Sequence, residues 1–186
     1  MSGLVVVLAP GASATRDHSS LVAIDRALGA HGVTVERIDL PSSRPGPKVF
    51  DTIRAAAGAV AAGAGLAADR VVLGGRSFGG RMCSVVVAEG LPAAGLVLVS
   101  YPLHPPGRPE KARTEHLPAL EVPCLFVSGT RDPFAAPAEL EEAAVAVPGP
   151  VTHVWIDGGD HGLRGRDSAV AGAVTAWVLA LAGPPG

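Results

Sequence analysis

The sequence predicts an α/β fold: a three-layer α/β/α sandwich on about six mostly parallel strands. Short β-branched runs alternate with longer alanine-rich segments along the whole chain. Four of the runs are nearly continuous Val, Leu or Ile, which is typical of strands covered by helices on both faces. The 186 residues, 48% of them hydrophobic, suffice for one core and are too few for two ordinary domains. Residues 1–186 are therefore expected to form a single domain.

The predicted elements follow the chain in alternation. The strands are residues 4–9, 33–39, 70–74, 95–100, 123–128 and 151–156. The helices are residues 19–30, 49–66, 78–89, 137–147 and 167–181. In the fourth helix Pro137 suits a first turn, and Leu140, Ala144 and Val147 recur at helical spacing. Ligands of such doubly wound folds bind beyond the carboxyl ends of the strands.

One long irregular segment, residues 101–122, follows the fourth predicted strand and contains five prolines. A loop of this length is uncommon, so we expect it to be either functional or partly helical around residues 110–116. It is too short to form a separate cap domain over the sheet.

Composition excludes several classes of function. The net charge is −2 and no basic run occurs, so neither nucleic acid nor an anionic membrane is an expected partner. The start of the chain lacks the features of a secretory signal, and the longest apolar stretch, residues 169–182, falls short of the ~20 residues that span a bilayer. A soluble, cytoplasmic protein with a small-molecule partner is expected; oligomeric state is not readable.

The residue types that are absent or rare restrict the chemistry further. The chain has no Asn and no Gln, so a Cys-His-Asn site is excluded and any oxyanion must be bound by backbone N–H groups. Cys83 and Cys124 lie in apolar stretches and are expected to be buried free thiols. Two cysteines are too few for a zinc site, and neither a metal nor an organic cofactor is expected.

The most specific motif is G-R-S-F-G at residues 75–79, between a predicted strand and a predicted helix. This is the context of a nucleophile elbow, a strained turn that lifts the hydroxyl of Ser77 clear of the sheet. A glycine-rich turn that binds phosphate is the alternative. The sequence disfavours it, because Gly80 is followed by Arg81 and Met82 rather than by Lys and Ser or Thr, and no G-x-G-x-x-G occurs.

A nucleophilic serine needs a base and an orienting acid. Asp132 follows the fifth predicted strand and His161 follows the sixth, at the same sheet edge as Ser77. Other uses remain open: Asp132 could form an Asx turn before Pro133, and His161 could be a surface or capping histidine. Asp157 and Asp160 are the reserve acids.

The oxyanion hole is predicted from two backbone N–H groups. One belongs to Phe78, the residue after the nucleophile, and the other to Ala12 or Gly11 in the loop after the first strand. A plain strand-to-helix turn would also explain the Pro-Gly pair at this loop. Each such donor is worth ~3 to 4 kcal/mol of transition-state stabilisation.

Four further side chains are candidates for contact with substrate: Arg76, Tyr101, His104 and Arg131. The arginines, with Arg108, Lys111 and Arg113 of the long loop, would favour an anionic acid portion, although a solvated surface residue is the more common explanation of each. The predicted activity is hydrolysis of an ester, lactone or thioester by a serine hydrolase of the carboxylesterase type. A non-catalytic binding or interaction module on the same fold is the alternative.

Five motifs together resemble the α/β-hydrolase superfamily, and the match covers nearly the whole chain. They are L-A-P-G-A (8–12), G-G-R-S-F-G-G-R (74–81), S-Y-P-L-H-P-P-G (100–107), V-S-G-T-R-D-P-F (127–134) and G-G-D-H-G (158–162). They look like a small dienelactone-hydrolase-like branch that includes the testis-expressed and NSL-complex-subunit hydrolase-like proteins. The resemblance implies the fold, a Ser77/Asp132/His161 triad and hydrolase activity.

The sequence departs from the family pattern in two respects. Pro10 stands before Gly11 where such families often have His, which leaves the backbone donors but removes a side chain that could brace the loop. Only two strands precede the elbow, so the first two strands usual in the eight-stranded family are missing. A minimal hydrolase fold with a shallow, open site is therefore predicted.

Overall fold

A six-stranded, wholly parallel sheet with helices on both faces forms the protein, whose computed structural model describes residues 3–183. The strands are β1 (Val5–Ala9), β2 (Thr34–Arg37), β3 (Val71–Arg76), β4 (Gly95–Val99), β5 (Cys124–Gly129) and β6 (Val151–Ile156). They are ordered β2-β1-β3-β4-β5-β6. The predicted three-layer sandwich is confirmed, and residues 3–183 contain no cap domain.

Five helices cover the sheet: α1 (Ser19–Gly29), α2 (Pro47–Ala64), α3 (Phe78–Ala88), α4 (Pro137–Ala144) and α5 (Asp167–Ala182). Side chains of α2, α3 and α4 pack on one face, and those of α1 and α5 pack on the other. Along β1, Val5 and Val7 join the first core while Val6 and Leu8 join the second. Because both faces are covered, the central strands show no polar alternation in sequence.

Helix α4 is shorter than the periodicity predicts. It ends at Ala144, whereas the pattern predicts a helix to Val147. Val147 is nevertheless buried, from a turn in which its N–H donates to the Ala144 carbonyl at 3.0 Å. Pro148 follows directly and disfavours helical geometry at the residue before it. The apolar spacing thus reports burial of Val147 rather than helix.

The loop of residues 101–122 contains two short 3₁₀ turns, Pro109–Lys111 and Leu117–Ala119, and no α-helix. The helix considered around residues 110–116 is limited to its first residues, because Pro109 sets the first turn and Ala112 leaves helical geometry with ψ 142°. Leu103, Leu117 and Leu120 are buried and anchor the loop to the core.

The direction of the chain reverses between β1 and β3. After β1 the chain proceeds to the edge strand β2 and then returns to place β3 on the other side of β1. Ala9 and Gly75 are register partners, so the loops that follow β1 and β3 start side by side. Such a switch point is where open α/β sheets bind ligands.

Candidate active site

Ser77 occupies a strained turn between β3 and α3. Its backbone has φ 49° and ψ −118°, a region that costs a non-glycine residue about 1–3 kcal/mol. Its N–H donates to the Val99 carbonyl at 2.8 Å, and its carbonyl accepts from the Arg81 N–H at 3.0 Å. These bonds to β4 and α3 hold the turn in the conformation that an elbow requires.

The glycines around Ser77 allow the loop after β1 to lie directly on the elbow. A Cβ built at Gly75 would lie 2.0 Å from the Ala9 carbonyl oxygen, and one at Gly79 would lie 2.4 Å from the Pro10 carbonyl oxygen. Both distances are far below van der Waals contact, so only glycine fits at these positions. The motif glycines are therefore required by this close approach.

Three side chains at the carboxyl edge of the sheet form a continuous hydrogen-bonded chain. The Ser77 Oγ lies 2.9 Å from His161 Nε2, and His161 Nδ1 lies 2.8 Å from Asp132 Oδ2 and 3.0 Å from Oδ1. A carboxylate only accepts, so Nδ1 carries the proton and Nε2 presents a lone pair to the serine hydroxyl. This is the tautomer that a general base needs.

Asp132 is held by more than the imidazole. Its side chain is fully buried, and its Oδ1 also accepts from the Phe134 N–H at 2.9 Å, as in an Asx turn. The turn and the contact with His161 are therefore compatible uses of one carboxylate. The reserve acids are engaged elsewhere: Asp160 Oδ1 accepts from the N–H groups of Gly162 and Leu163, and Asp157 faces Thr130.

The ring of Phe134 stacks on His161, with the ring centroids 4.0 Å apart and the planes 29° from parallel. Sequence reasoning did not assign Phe134 to the site. The signal was its place two residues after Asp132, which puts its ring beside the acid–base pair. The contact restricts the imidazole and shields the His161–Asp132 pair from water.

Two predicted oxyanion donors are free to bind a ligand. Phe78 is the first residue of α3, so its N–H has no carbonyl partner within the helix. Gly11 lies against the nucleophile, since a Cβ built there would be 3.5 Å from the Ser77 Cβ. Within residues 3–183 the N–H groups of Gly11 and Ala12 donate to no protein acceptor.

The four candidate substrate contacts have different positions. Tyr101 is 1% exposed and lies in the core, where its hydroxyl donates to the Arg113 carbonyl at 3.0 Å. His104 is 5% exposed; its Nε2 lies 3.1 Å from Glu139 Oε2 and its Nδ1 lies 2.8 Å from the Pro105 carbonyl oxygen. Both residues thus hold the long loop in place, and the structure does not bring their side chains into the Ser77–His161–Asp132 chain.

The two arginines of that group also differ. Arg131 is exposed beside Asp132, and its backbone N–H donates to the Gly159 carbonyl at 2.8 Å. Arg76 is half-buried, and its Nη2 donates to the His161 carbonyl at 2.7 Å. Burial lowers the pKa of Arg76, while the charges of Asp132, Asp160 and Asp167 oppose that shift.

A second polar cluster lies on α3 below the elbow. Arg81 is one helical turn after Ser77, and its buried Nε has no hydrogen-bond partner among residues 3–183. Next to it, Ser84 Oγ contacts His116 Nε2 at 2.8 Å and donates to the Arg81 carbonyl at 2.8 Å. Burial and then the Arg81 charge lower the pKa of His116 to about 4, so this imidazole is neutral near pH 7. The cluster fixes the long loop to α3.

The described part of the chain contains neither a membrane-spanning helix nor a metal-binding cluster of side chains. Between residues 3 and 183 no helix has the length and apolar character needed to cross a membrane. In the same range, His, Cys, Asp and Glu side chains form no group of three that could hold a metal ion.

A cavity of about 400 Å³ lies between the long loop and α4, bordered by Leu103, His104 and Glu139, and no triad residue lines it.

A parallel sheet that delivers a serine on a strained turn to a His–Asp pair defines the α/β-hydrolase class of proteins. The chain belongs to the alpha/beta hydrolase domain family, whose model matches residues 2–178. The resemblance noted from the sequence motifs is thereby confirmed at the level of the superfamily.

Solved structures of several esterases share this fold. Est1E from Butyrivibrio proteoclasticus is 17% identical with a TM-score of 0.79, the match covering 96% of this chain and 88% of that one. An esterase domain from Rhodothermus marinus is 17% identical with a TM-score of 0.74, over 95% and 87% of the two chains. Dienelactone hydrolase from Anabaena variabilis is 22% identical with a TM-score of 0.71, over 94% and 84%. At these identities the likeness shows a common fold.

Proposed function

We propose that the protein is a serine hydrolase that cleaves an ester, lactone or thioester of a small molecule. One observation carries the proposal: the Ser77 hydroxyl lies 2.9 Å from His161 Nε2, while His161 Nδ1 lies 2.8 Å from a buried Asp132 carboxylate. Family membership and the esterases among the structural neighbours support hydrolysis as the reaction class.

The geometry suits a two-step acyl transfer. Ser77 Oγ attacks the carbonyl carbon while His161 Nε2 takes the hydroxyl proton and passes it to the departing alcohol or thiol. Water then attacks the acyl-enzyme, giving its proton to His161, which returns it to Ser77 as the acid leaves. Asp132 holds the imidazole tautomer and stabilises the imidazolium, and the N–H groups of Phe78 and of Ala12 or Gly11 bind the oxyanion.

Covalent labelling by a fluorophosphonate probe tests this proposal. The wild-type protein is expected to be labelled once, at Ser77, and Ser77→Ala to abolish both labelling and hydrolysis of p-nitrophenyl acetate. His161→Ala should suppress labelling although Ser77 remains. For Ser77→Ala the fall in kcat is expected to reach up to ~10⁶-fold if chemistry limits turnover. A wild-type protein that is folded yet unreactive would instead indicate a non-catalytic module.

The substrate proposal extends to charge. Arg131 follows β5 directly before Asp132 and is exposed, and among the described residues no carboxylate lies within 4 Å of its guanidinium. We expect an acid portion that bears a carboxylate to be preferred by roughly fivefold in kcat/KM, which corresponds to ~1 kcal/mol for an exposed ion pair. The test compares a dicarboxylic acid monoester with its diester, for the wild type and Arg131→Gln. Equal kcat/KM values for the two esters would exclude the preference.

A further inference from the structure

Arg76 contacts the histidine loop directly. It is the last residue of β3, and its side chain turns from the elbow toward the carbonyl of His161, which accepts from Nη2 at 2.7 Å. The two residues are separated by 85 positions, so the bond connects two loops that the sequence keeps far apart. A hydrogen bond from a charged donor is shorter and stronger than one between neutral groups.

The backbone of His161 depends on this bond. In the described chain, the bond from Arg76 is the one hydrogen bond that a backbone group of His161 makes. The neighbouring residues are fixed separately, since Asp160 accepts from the N–H groups of Gly162 and Leu163. The His161 ring contacts Asp132, Ser77 and Phe134, whereas within residues 3–183 its backbone is hydrogen-bonded by Arg76.

The same guanidinium lies against the loop that carries the second oxyanion donor. A Cβ built at Gly11 would be 3.1 Å from Arg76 Nη1. The guanidinium therefore binds the His161 loop through Nη2, while its Nη1 lies close to Gly11 without a hydrogen bond to that loop within residues 3–183. Arginine suits this position because its guanidinium presents several donors in a rigid plane, whereas lysine offers a single point charge.

We propose that Arg76 is a positioning residue that holds the His161 loop at a fixed place relative to Ser77. The inference rests on the proposed function, because it concerns the geometry in which His161 accepts the proton of Ser77. It differs from the role expected from the sequence, in which Arg76 contacts the substrate: the observed donor is already used by the protein. A displacement of about 1 Å in such an arrangement costs up to ~10²-fold in rate.

The test compares Arg76→Ala with Arg164→Ala, a matched control. Arg164 is an exposed arginine on the same loop, and its side chain makes no hydrogen bond within residues 3–183. Arg76→Ala is expected to lower kcat for p-nitrophenyl acetate by about 10- to 100-fold while KM changes less than threefold. Millimolar guanidinium chloride should restore part of the lost kcat, and Arg164→Ala should behave as the wild type.

A second readout does not depend on turnover. Backbone hydrogen exchange at residues 158–166 should become faster in Arg76→Ala, with α1 unchanged, and should stay at the wild-type rate in Arg164→Ala. Unchanged exchange at residues 158–166 would overturn the proposal, and so would a rise in KM at constant kcat, which indicates substrate contact. If the wild type does not react with the fluorophosphonate but Arg76→Ala still exchanges faster at residues 158–166, the proposed function is rejected. The positioning role of Arg76 is then retained. If Arg76→Ala does not fold, Arg76→Met, which keeps the apolar stem, replaces it.

Discussion

At the scale of single residues, the ring of Phe134 stacks on His161 with 4.0 Å between the ring centroids. In the proposed mechanism this imidazole becomes positively charged when it takes the serine proton. An aromatic face attracts a cation by about 0.5–2 kcal/mol, depending on how far water is excluded. In the proposed mechanism the positive charge develops with the proton transfer, so the ring would stabilise the transition state more than the ground state.

Phe134→Leu is expected to lower kcat by about 2- to 30-fold, the equivalent of the cation–π range, because leucine fills the space without an aromatic face. The measurement is steady-state hydrolysis of a p-nitrophenyl ester. Phe50→Leu on α2 is the matched control, since Phe50 packs near Arg54 and away from the triad. Equal kcat for Phe134→Leu and the wild type would show that the stacking is only structural.

At the scale of elements, the elbow depends on backbone approach between the end of β1 and the turn after β3. Gly75 has φ +145°, and a Cβ there would meet the Ala9 carbonyl at 2.0 Å, so Gly75→Ala must separate β1 from β3. We expect it to lower the free energy of unfolding by at least ~3 kcal/mol or to prevent folding. Urea denaturation followed by circular dichroism measures the change.

Gly58→Ala is the control for that experiment. Gly58 lies within α2, and nothing lies within 4 Å of a Cβ built there. Alanine is the better helix former, so this change should raise the free energy of unfolding by about 0.5–1 kcal/mol. If both variants shifted stability in the same direction, the destabilisation of Gly75→Ala would not come from the contact with β1.

The long loop is joined to α4 by two titratable side chains, His104 and Glu139. His104 faces an acceptor at each ring nitrogen, the Pro105 carbonyl and the Glu139 carboxylate, so both nitrogens can donate only in the cationic form of the imidazole. The Pro105 hydrogen bond and then Glu139 raise the pKa of His104, and the bond from His104 lowers the pKa of Glu139. A raised histidine pKa stabilises the fold below its ordinary value of 6.5, and a lowered glutamate pKa stabilises it above 4.5.

The stability difference between the wild type and His104→Gln should therefore be largest between pH 4.5 and 6.5. It should shrink as the pH rises through the raised pKa of His104, because the neutral imidazole loses one of its two donors. Urea denaturation at a series of pH values between 4.5 and 9 gives the difference directly. A difference that is constant across this range would mean that His104 stays in one protonation state.

At the scale of the whole molecule, the two cysteines report global opening. Cys83 in α3 and Cys124 in β5 are both fully buried in the same core, and burial raises the pKa of each thiol to about 12. The expected buried free thiols are confirmed. Neither should react with Ellman's reagent at pH 8 in the native protein, and both should react in 6 M urea. Fast reaction of one thiol under native conditions would indicate local opening of its element.

Much of this architecture could be predicted from the sequence, because parallel strands carry a strong signal. Continuous apolar runs located the strands, and the carboxyl ends of β3, β5 and β6 placed Ser77, Asp132 and His161 at one edge, where the structure brings their side chains into hydrogen-bond distance. Their catalytic roles remain proposals. The hydrogen-bond partners of Tyr101 and Arg76 could not be predicted, since each partner lies in a loop that has no periodicity.

The long loop separates the candidate site residues into two groups along the chain. Gly107 lies in that loop, is exposed and has φ +69°. Gly11, Ser77 and Phe78 precede it in the chain. Asp132 and His161 follow it. A backbone cleaved at Gly107 would thus yield one fragment with the nucleophile and another with its base. Neither fragment alone holds Ser77, His161 and Asp132 together. Labelling of Ser77 would therefore measure the reassembly of the two fragments, and the cleaved protein could serve as a complementation reporter.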